Sequence, residues 1–445
     1  MLRASCEALH AITLRVKAEK CELLVPPSPG DGRLDYAKAL SPIPVLDGAF
    51  ASIRIVGAHV GADASSFEFL KSKWLPTKIL IDTIASDIAP SAPRAGIALL
   101  KYCCQPKLLY RFQTHRPEIC RPLAIEYDAR IVAALRSFIG DVDRDLIISS
   151  YGLRFLDYPA CLHLLFKRFM TDEPADHHKR SKELGDSDAM TELRTAHDLT
   201  VLKRFPHLKA RLLSQAAAGF GSTSWSSSFA PKGFCAHLAD VMLLLRMQLL
   251  VEPPSPAPCW CGHADTGNGT FPEHVLCCSR LQGATRVYRH NVILGVLTNA
   301  IARFGILAVA EPRFYQYEDG SKKRPDLTCF VGDQFVVTDL VVSHDPEEAL
   351  KEKQDKHDAA AAALGHKFVP IAISIFGQLH PSVDEFLRRV FADLPYKTRW
   401  LAILQTKRLM SEAWLCGTAA MLRGVHHHAD NFPVMEMCRT GSLGS

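Results

Sequence analysis

The sequence predicts an α+β protein of more than one domain, with a mostly helical N-terminal half, a short Cys/His segment, and then an α/β core whose mixed sheet is flanked by helices. Three observations carry this expectation. Apolar residues recur at helical spacing from about Ser66 to Met170, as in Phe67, Leu70, Trp74 and Leu75, and later Ile131, Leu135, Phe138 and Ile139. Pro253 to Pro258 forms a stiff boundary ahead of the Cys/His-bearing stretch. Beyond it, two β-type runs separated by Gly332-Asp333 precede a long helical pattern. A chain of 445 residues has room for two or three such domains.

Composition narrows the class. With 48% hydrophobic and 22% charged residues the chain is an ordinary globular protein. A net charge of +5 suits a polyanion partner without requiring one. The 14 cysteines are scattered, and several sit inside apolar runs (Cys103, Cys104, Cys235, Cys329). The first twenty residues lack the continuous apolar core of a signal peptide, so a reduced compartment is expected rather than a disulfide framework. Ile293 to Ala310 is interrupted by Asn299 and Arg303 and reads as helix then strand, not as a membrane span.

In chain order, residues 1 to about 60 alternate helix-like and strand-like signals, with a β-type run at Ala51 to Val56. Prolines at 90, 93, 117 and 122 are expected to separate the helices that follow. Thr171 to Leu199 is charged and poor in large apolar groups, the pattern of a solvated linker or mobile insertion. Gly219 to Ser228 marks a second loop, followed by a helix from Phe234 to Leu250. The expected domains are 1–60, 61–250, 259–280, 281–394 and a C-terminal helical tail at 395–445.

The first chemical constellation is Cys259-Trp-Cys261-Gly, a tight turn whose two thiolates can reach one ion. Downstream, Thr270-Phe-Pro-Glu273 has the form of a capping box, so a helix should begin near Phe271 or Pro272. On it, His274 and Cys278 lie four apart on one face. Two thiolates from a turn with a His and a Cys from a helix make the closed tetrahedral set of structural Zn²⁺. His263 and Cys277 are alternative ligands. A closed set has no open position, so a catalytic zinc is not expected.

The second constellation lies at Arg324 to Val342. If Val331 pairs with Gln334 across the Gly332-Asp333 turn, cross-strand numbers sum to 665, and Asp326 faces Asp339. Their Cβ atoms would then be ~4.5–5.5 Å apart. Two like charges so placed repel, and a divalent cation between them removes that cost. Hard oxygen ligands favour Mg²⁺ or Mn²⁺, which can polarise a phosphodiester and activate water. Misjudged register would leave two ordinary strand carboxylates.

Asp345-Pro-Glu-Glu348 then supplies an N-cap, a Pro at N1 and a Glu at N3 for a helix running to a stop at Gly365. Lys353 and Lys356 share a face of it, where a lysine could orient water or steady phosphate charge. Without the carboxylates they would be a solvated helix face. Glu311, before Pro312, is a further candidate ligand. Arg286, Arg289, His290, Lys322, Lys323 and Arg324 flank the block and are candidates for phosphate contacts that position DNA without reading its sequence.

These motifs in this order — C-x-C-G, H-x3-C, Arg289-His-Asn291, Glu311-Pro, Arg324-Pro-Asp326 and Thr338-Asp339 — resemble the C-terminal region of non-LTR retrotransposon polyproteins that carry a restriction-like PD-(D/E)xK endonuclease. The resemblance implies that Asp326 and Asp339 bind the catalytic metal. It places the lysine on the following helix in a K-x-x-K-Y-like motif, matched by Lys353-Gln-Asp-Lys356-His357 with His for Tyr, while Val341 holds the usual strand position. Lys356 is the expected helper. More weakly, Thr13 to Leu24 looks like the end of a reverse-transcriptase palm. Ala58 to Gly61 and Leu99 to Arg116 look like thumb and linker.

The implied function is nicking of chromosomal DNA to leave a 3′-OH that primes reverse transcription, with structural Zn²⁺ and catalytic Mg²⁺ or Mn²⁺. The DNA target is the expected partner, element RNA a second, and no membrane is involved; the expected location is nuclear, otherwise cytoplasmic. No Asp-Asp pair of the palm type occurs, so polymerase activity would come from an upstream region or another chain. The alternative is a nucleic-acid-binding zinc-knuckle relic without catalytic activity. His426 to His428 read as a solvated tail.

Overall fold

The structure is a computed structural model that describes residues 23–25, 35, 38, 44–47, 52–55, 58–171, 186–216, 237–251, 261, 271–278, 286–313, 315 and 324–424. The chain divides into two compact units, one formed by Met1–Asp82, Tyr102–Ile131 and Leu156–Thr191, the other by Thr83–Lys101, Val132–Phe155 and Glu192–Ser445. It is mostly helical with a small mixed sheet, as an α+β chain should be. Among the described residues no helix is long and apolar enough to cross a membrane.

The first unit opens with β1 (Leu23–Val25) parallel to β2 (Val45–Asp47), and β3 (Ser52–Ile55) antiparallel to β4 (Ala58–Gly61). The β-type run expected at 51–56 is β3. Helices α1 (Asp63–Thr83), α2 (Pro93–Leu99), α3 (Gln105–Thr114), α4 (Pro117–Ile139), α5 (Arg144–Ile148) and α6 (Tyr158–Thr171) follow in the chain. Within the first unit, Tyr158 stands edge-on to Phe112 and Tyr127, at 4.9 and 5.1 Å between ring centres, a packing mode that adds to simple area burial. Pro93 and Pro117 start α2 and α4, where a missing N–H costs nothing. Pro122 does not separate helices. It lies inside the 23-residue α4, whose buried Cys120, Leu123, Ala124 and Tyr127 hold the helix through the loss of one hydrogen bond.

Helix α7 (Asp186–Arg204), in the second unit from Glu192 on, corrects the expected linker at 171–199, of which 172–185 lie outside the described residues. Its sequence is polar nearly all round, and such a helix forms where side-chain pairs hold it. His197 Nδ1 is 3.1 Å from Asp145 Oδ1, Ser150 N donates to Asp198 Oδ1 at 2.7 Å, Arg204 pairs with Asp143 and Asp145, and Val201 is buried. Then come α8 (Lys209–Ala216), α9 (Leu238–Gln248), α10 (Phe271–Cys277) and α11 (Val287–Ala302). The loop expected at 219–228 and the Pro253–258 boundary lie outside the described residues, as do His426 to His428.

Four strands form one sheet in the order β5 (Ala308–Ala310), β6 (Leu327–Val331), β7 (Gln334–Thr338), β9 (Lys367–Phe368); the first three are antiparallel and the last is parallel to β7. β8 (Leu340–Ser343) pairs in parallel with β10 (Ile371–Ser374). Both parallel ladders keep one register, and Val369 N to Val337 O (2.8 Å) and Ile371 N to Asp339 O (3.0 Å) join them. β7 and β8 are therefore one strand bent at Asp339. Helix α12 (Pro346–Ala362) crosses from β8 to β9 and buries Ala361 with Tyr315, Val337 and Phe368.

Helices α13 (Pro381–Val390) and α14 (Tyr396–Gly424) complete the unit. The expected C-terminal helical tail is a helix up to Gly424, and from Met410 to Leu422 it belongs to the core. Met410, Ala413, Trp414, Leu415, Ala419 and Met421 are buried, too many faces of one helix for a tail. α14 packs along α11 at close range. A Cβ on Gly417 would come within 2.8 Å of the Arg289 Cα, so only glycine permits that approach. Arg94 of α2 donates to both Glu412 carboxylate oxygens of α14, at 2.8 and 2.5 Å, in a buried pair. Each of those charges depends on the other, because an uncompensated buried charge is strongly destabilising.

Candidate functional site

The β6–β7 hairpin has the register that the sequence predicts. Val331 pairs with Gln334 and Leu327 with Thr338, across a turn in which Gly332 takes a φ of +54°. One step further, Asp326 and Asp339 face each other, and their carboxyls lie within hydrogen-bonding reach. The neighbouring ladder adds a third acid. Ala310 pairs with Leu327, and Glu311 N donates to Asp326 O at 2.9 Å, so Glu311, Asp326 and Asp339 occupy adjacent positions at three strand ends.

The carboxyls differ in surroundings. Asp339 is buried; Lys353 Nζ donates to its Oδ1 and Oδ2 at 3.1 and 3.2 Å, and His357 Nε2 stands 2.7 Å from Oδ2. Burial pushes the Asp339 carboxyl up, but His357, the contact with Asp326 and the Lys353 charge together hold it well below the usual range. Asp326 goes the other way. Burial, with the facing Asp339 behind it, raises its carboxyl against the pull of His290. Asp326 Oδ2 accepts from Leu340 N at 2.7 Å and meets His290 Nε2 at 3.0 Å. His290 Nε2 also lies 3.1 Å from Leu340 O, and Nδ1 is 3.2 Å from Asn291 Oδ1. Burial would lower His290, yet Asp326 outweighs it and the imidazole is raised.

Helix α12 delivers two of these groups for local reasons. Asp345 caps it by accepting from Glu348 N at 3.1 Å, Pro346 is at N1, and the helix stops near Gly365, whose φ of +72° suits glycine. Lys353 and His357 are four apart and so stand one above the other over the bend at Asp339. Lys356 is half-buried on the same helix. Among the described residues no hydrogen bond or ion pair joins it to either carboxylate. Sequence reasoning favoured Lys356 and noted His357 only as a substitute for Tyr.

Glu311 has a left-handed φ of +45°, which costs a non-glycine residue roughly 1–2 kcal/mol. Its exposed side chain stands 3.9 Å from Arg324. Of the residues expected to line a phosphate path, Arg324 is exposed and Arg286 half-buried, whereas Lys322 and Lys323 lie outside the described residues. Two change role. Arg289 is 1% exposed between α11 and α14, where burial lowers its guanidinium to about 10, so it cannot be a surface phosphate contact. His290 faces the carboxylates instead of solvent.

Three members of the first constellation also come together. Helix α10 begins at Phe271, as the capping pattern predicts. Cys261 Sγ is 3.0 Å from His274 Nε2, and the ligand atoms of Cys261, His274 and Cys278 all lie within 4.8 Å of one another. Tetrahedral bonds to zinc set sulfur and nitrogen ligands about 3.5 Å apart, and this Cys-His-Cys set fits that spacing and chemistry. Cys277 is exposed and is not in the cluster. Cys259 and His263 lie outside the described residues.

With that geometry in hand, comparison with known proteins gives a relationship. No family model matches the chain. The "Retrotransposable element SLACS 132 kDa protein" of Trypanosoma brucei gambiense is 26% identical over 160 residues, which is 31% of this chain and 13% of that protein. About a third of the chain is therefore similar to part of a retrotransposable-element protein. The chain thus matches only a small part of the relative's length, and the likeness bears on descent more than on the chemistry at Asp326 and Asp339.

Proposed function

We propose that this chain carries the metal-dependent DNA endonuclease of a non-LTR retrotransposon, nicking one strand of chromosomal target DNA so that the 3′-OH can prime reverse transcription. The observation that carries the reading is the pair Asp326 and Asp339, face to face on neighbouring strand ends with Lys353 on one of them. A purely structural sheet would avoid burying two facing acids. The likeness of part of the chain to a retrotransposable-element protein agrees with the retrotransposon part of this reading.

The donor set suits a hard divalent ion such as Mg²⁺ or Mn²⁺, held by Asp326 and Asp339 with Glu311 alongside. When bound, such an ion polarises the phosphodiester and makes water a stronger nucleophile at neutral pH. The protein's own groups do the rest. Lys353 holds an ammonium over Asp339, where it can orient water or the scissile phosphate. Arg324 and Arg286 position the DNA backbone. Cys261, His274 and Cys278, with Cys259 as fourth ligand, hold a structural zinc that fixes α10. No Asp-Asp pair of the palm type occurs, so polymerase activity has another source, and the location is nuclear, otherwise cytoplasmic.

The test is nicking of supercoiled plasmid by the zinc-loaded chain with Mg²⁺ or Mn²⁺. Wild type should produce open circles, and Asp326→Ala and Asp339→Ala should fall to background while still shifting DNA on a gel. Equal rates in wild type and Asp326→Ala would leave a nucleic-acid-binding module in place of an enzyme.

A further inference from the structure

The geometry points to His290 as a positioning residue that makes Asp326 a one-oxygen ligand. This rests on the reading of Asp326 and Asp339 as a metal centre and deepens it. His290 Nε2 lies 3.0 Å from Asp326 Oδ2 and 3.1 Å from Leu340 O. Both neighbours are acceptors, so Nε2 carries the hydrogen and donates to them. Asp326 Oδ2 also accepts from Leu340 N at 2.7 Å. Two N–H groups therefore converge on Oδ2, and neither of them engages Oδ1.

The same contacts close a triangle. Leu340 gives its N–H to Asp326 and its carbonyl to His290, and it is the first residue after the bend at Asp339. His290 comes from α11, 36 residues before Asp326 and 50 before Leu340. One imidazole thus ties the start of β6 to the start of β8 and sets the direction in which Asp326 points across to Asp339. On the other side of the ring, Nδ1 lies 3.2 Å from Asn291 Oδ1. Outer-shell donors of this kind typically change metal affinity about 10–100-fold when removed.

The test is Mn²⁺ binding to the zinc-loaded full chain, read by electron paramagnetic resonance of the unbound ion. Asp326→Asn should abolish binding at this centre. His290→Ala should weaken it about 10–100-fold. His290→Gln, whose amide nitrogen can reach the Nε2 position, should keep near-wild-type affinity, while the shorter His290→Asn should behave like His290→Ala. Ile301→Ala, in the buried part of α11, should lower the melting temperature without moving affinity. If Asp326→Asn loses Mn²⁺ but His290→Ala binds as wild type, or His290→Gln is as weak as His290→Ala, the positioning role is overturned and the metal centre stands. If wild type takes up no Mn²⁺ that depends on Asp326, both fall together.

Discussion

Asp326 and Asp339 face each other one step beyond Leu327 and Thr338, the last ladder pair of the β6–β7 hairpin, with their carboxyls within hydrogen-bonding reach. That relationship descends from the turn. Gly332-Asp333 closes the hairpin in two residues with Gly332 in the left-handed region, and a one-residue slip would send one of the acids to the other face. Gly332→Ala should therefore cost about 1–2 kcal/mol, read as a lower urea midpoint. An unchanged midpoint would mean that the turn does not hold this conformation.

Mutation should separate Lys353 from Lys356. Lys353→Met removes an ammonium that touches both Asp339 oxygens and should reduce nicking by about 10²–10³-fold. Lys356→Met should leave most of the rate. The reverse ranking would show that the helix turns its other lysine toward the DNA when substrate binds.

Much of this centre is legible in the sequence because its rules are local. Hairpin register follows from a two-residue turn, the α12 N-cap from Asp345-Pro-Glu-Glu348, and the start of α10 from Thr270-Phe-Pro-Glu273. What the sequence hides is set by distant packing. His290 looks like one more basic group beside Arg286 and Arg289 until the fold brings Asp326 and Leu340 to it. Arg289 belongs outside by its charge, and only the close pass of Gly417 encloses it. The choice between Lys353 and Lys356 depends on the rotation of α12 over the sheet, which helical spacing alone does not fix. Helix α14 read as a tail because a helix buried on several faces lacks a one-sided apolar stripe.

Thiol chemistry should report both the core and the zinc cluster. Burial pushes Cys104, Cys120, Cys161 and Cys329 up to about 12, so at pH 8 almost none of each is thiolate, the nucleophilic form. Iodoacetamide should spare these four and modify the exposed Cys103 and Cys277. In the zinc-loaded chain Cys261 and Cys278 should stay protected until a chelator removes the ion, as peptide mass spectrometry would show. Equal labelling of Cys261 and Cys278 with and without chelator would rule out a zinc site there.

The most direct measurement is anomalous scattering from crystals grown with Mn²⁺. The expected result is one strong peak between Asp326 and Asp339, about 2.1–2.3 Å from an oxygen of each, and its loss in Asp326→Asn. Carboxyls that still face each other with no peak between them, or a manganese peak only elsewhere in the chain, would contradict a catalytic metal centre at these strand ends.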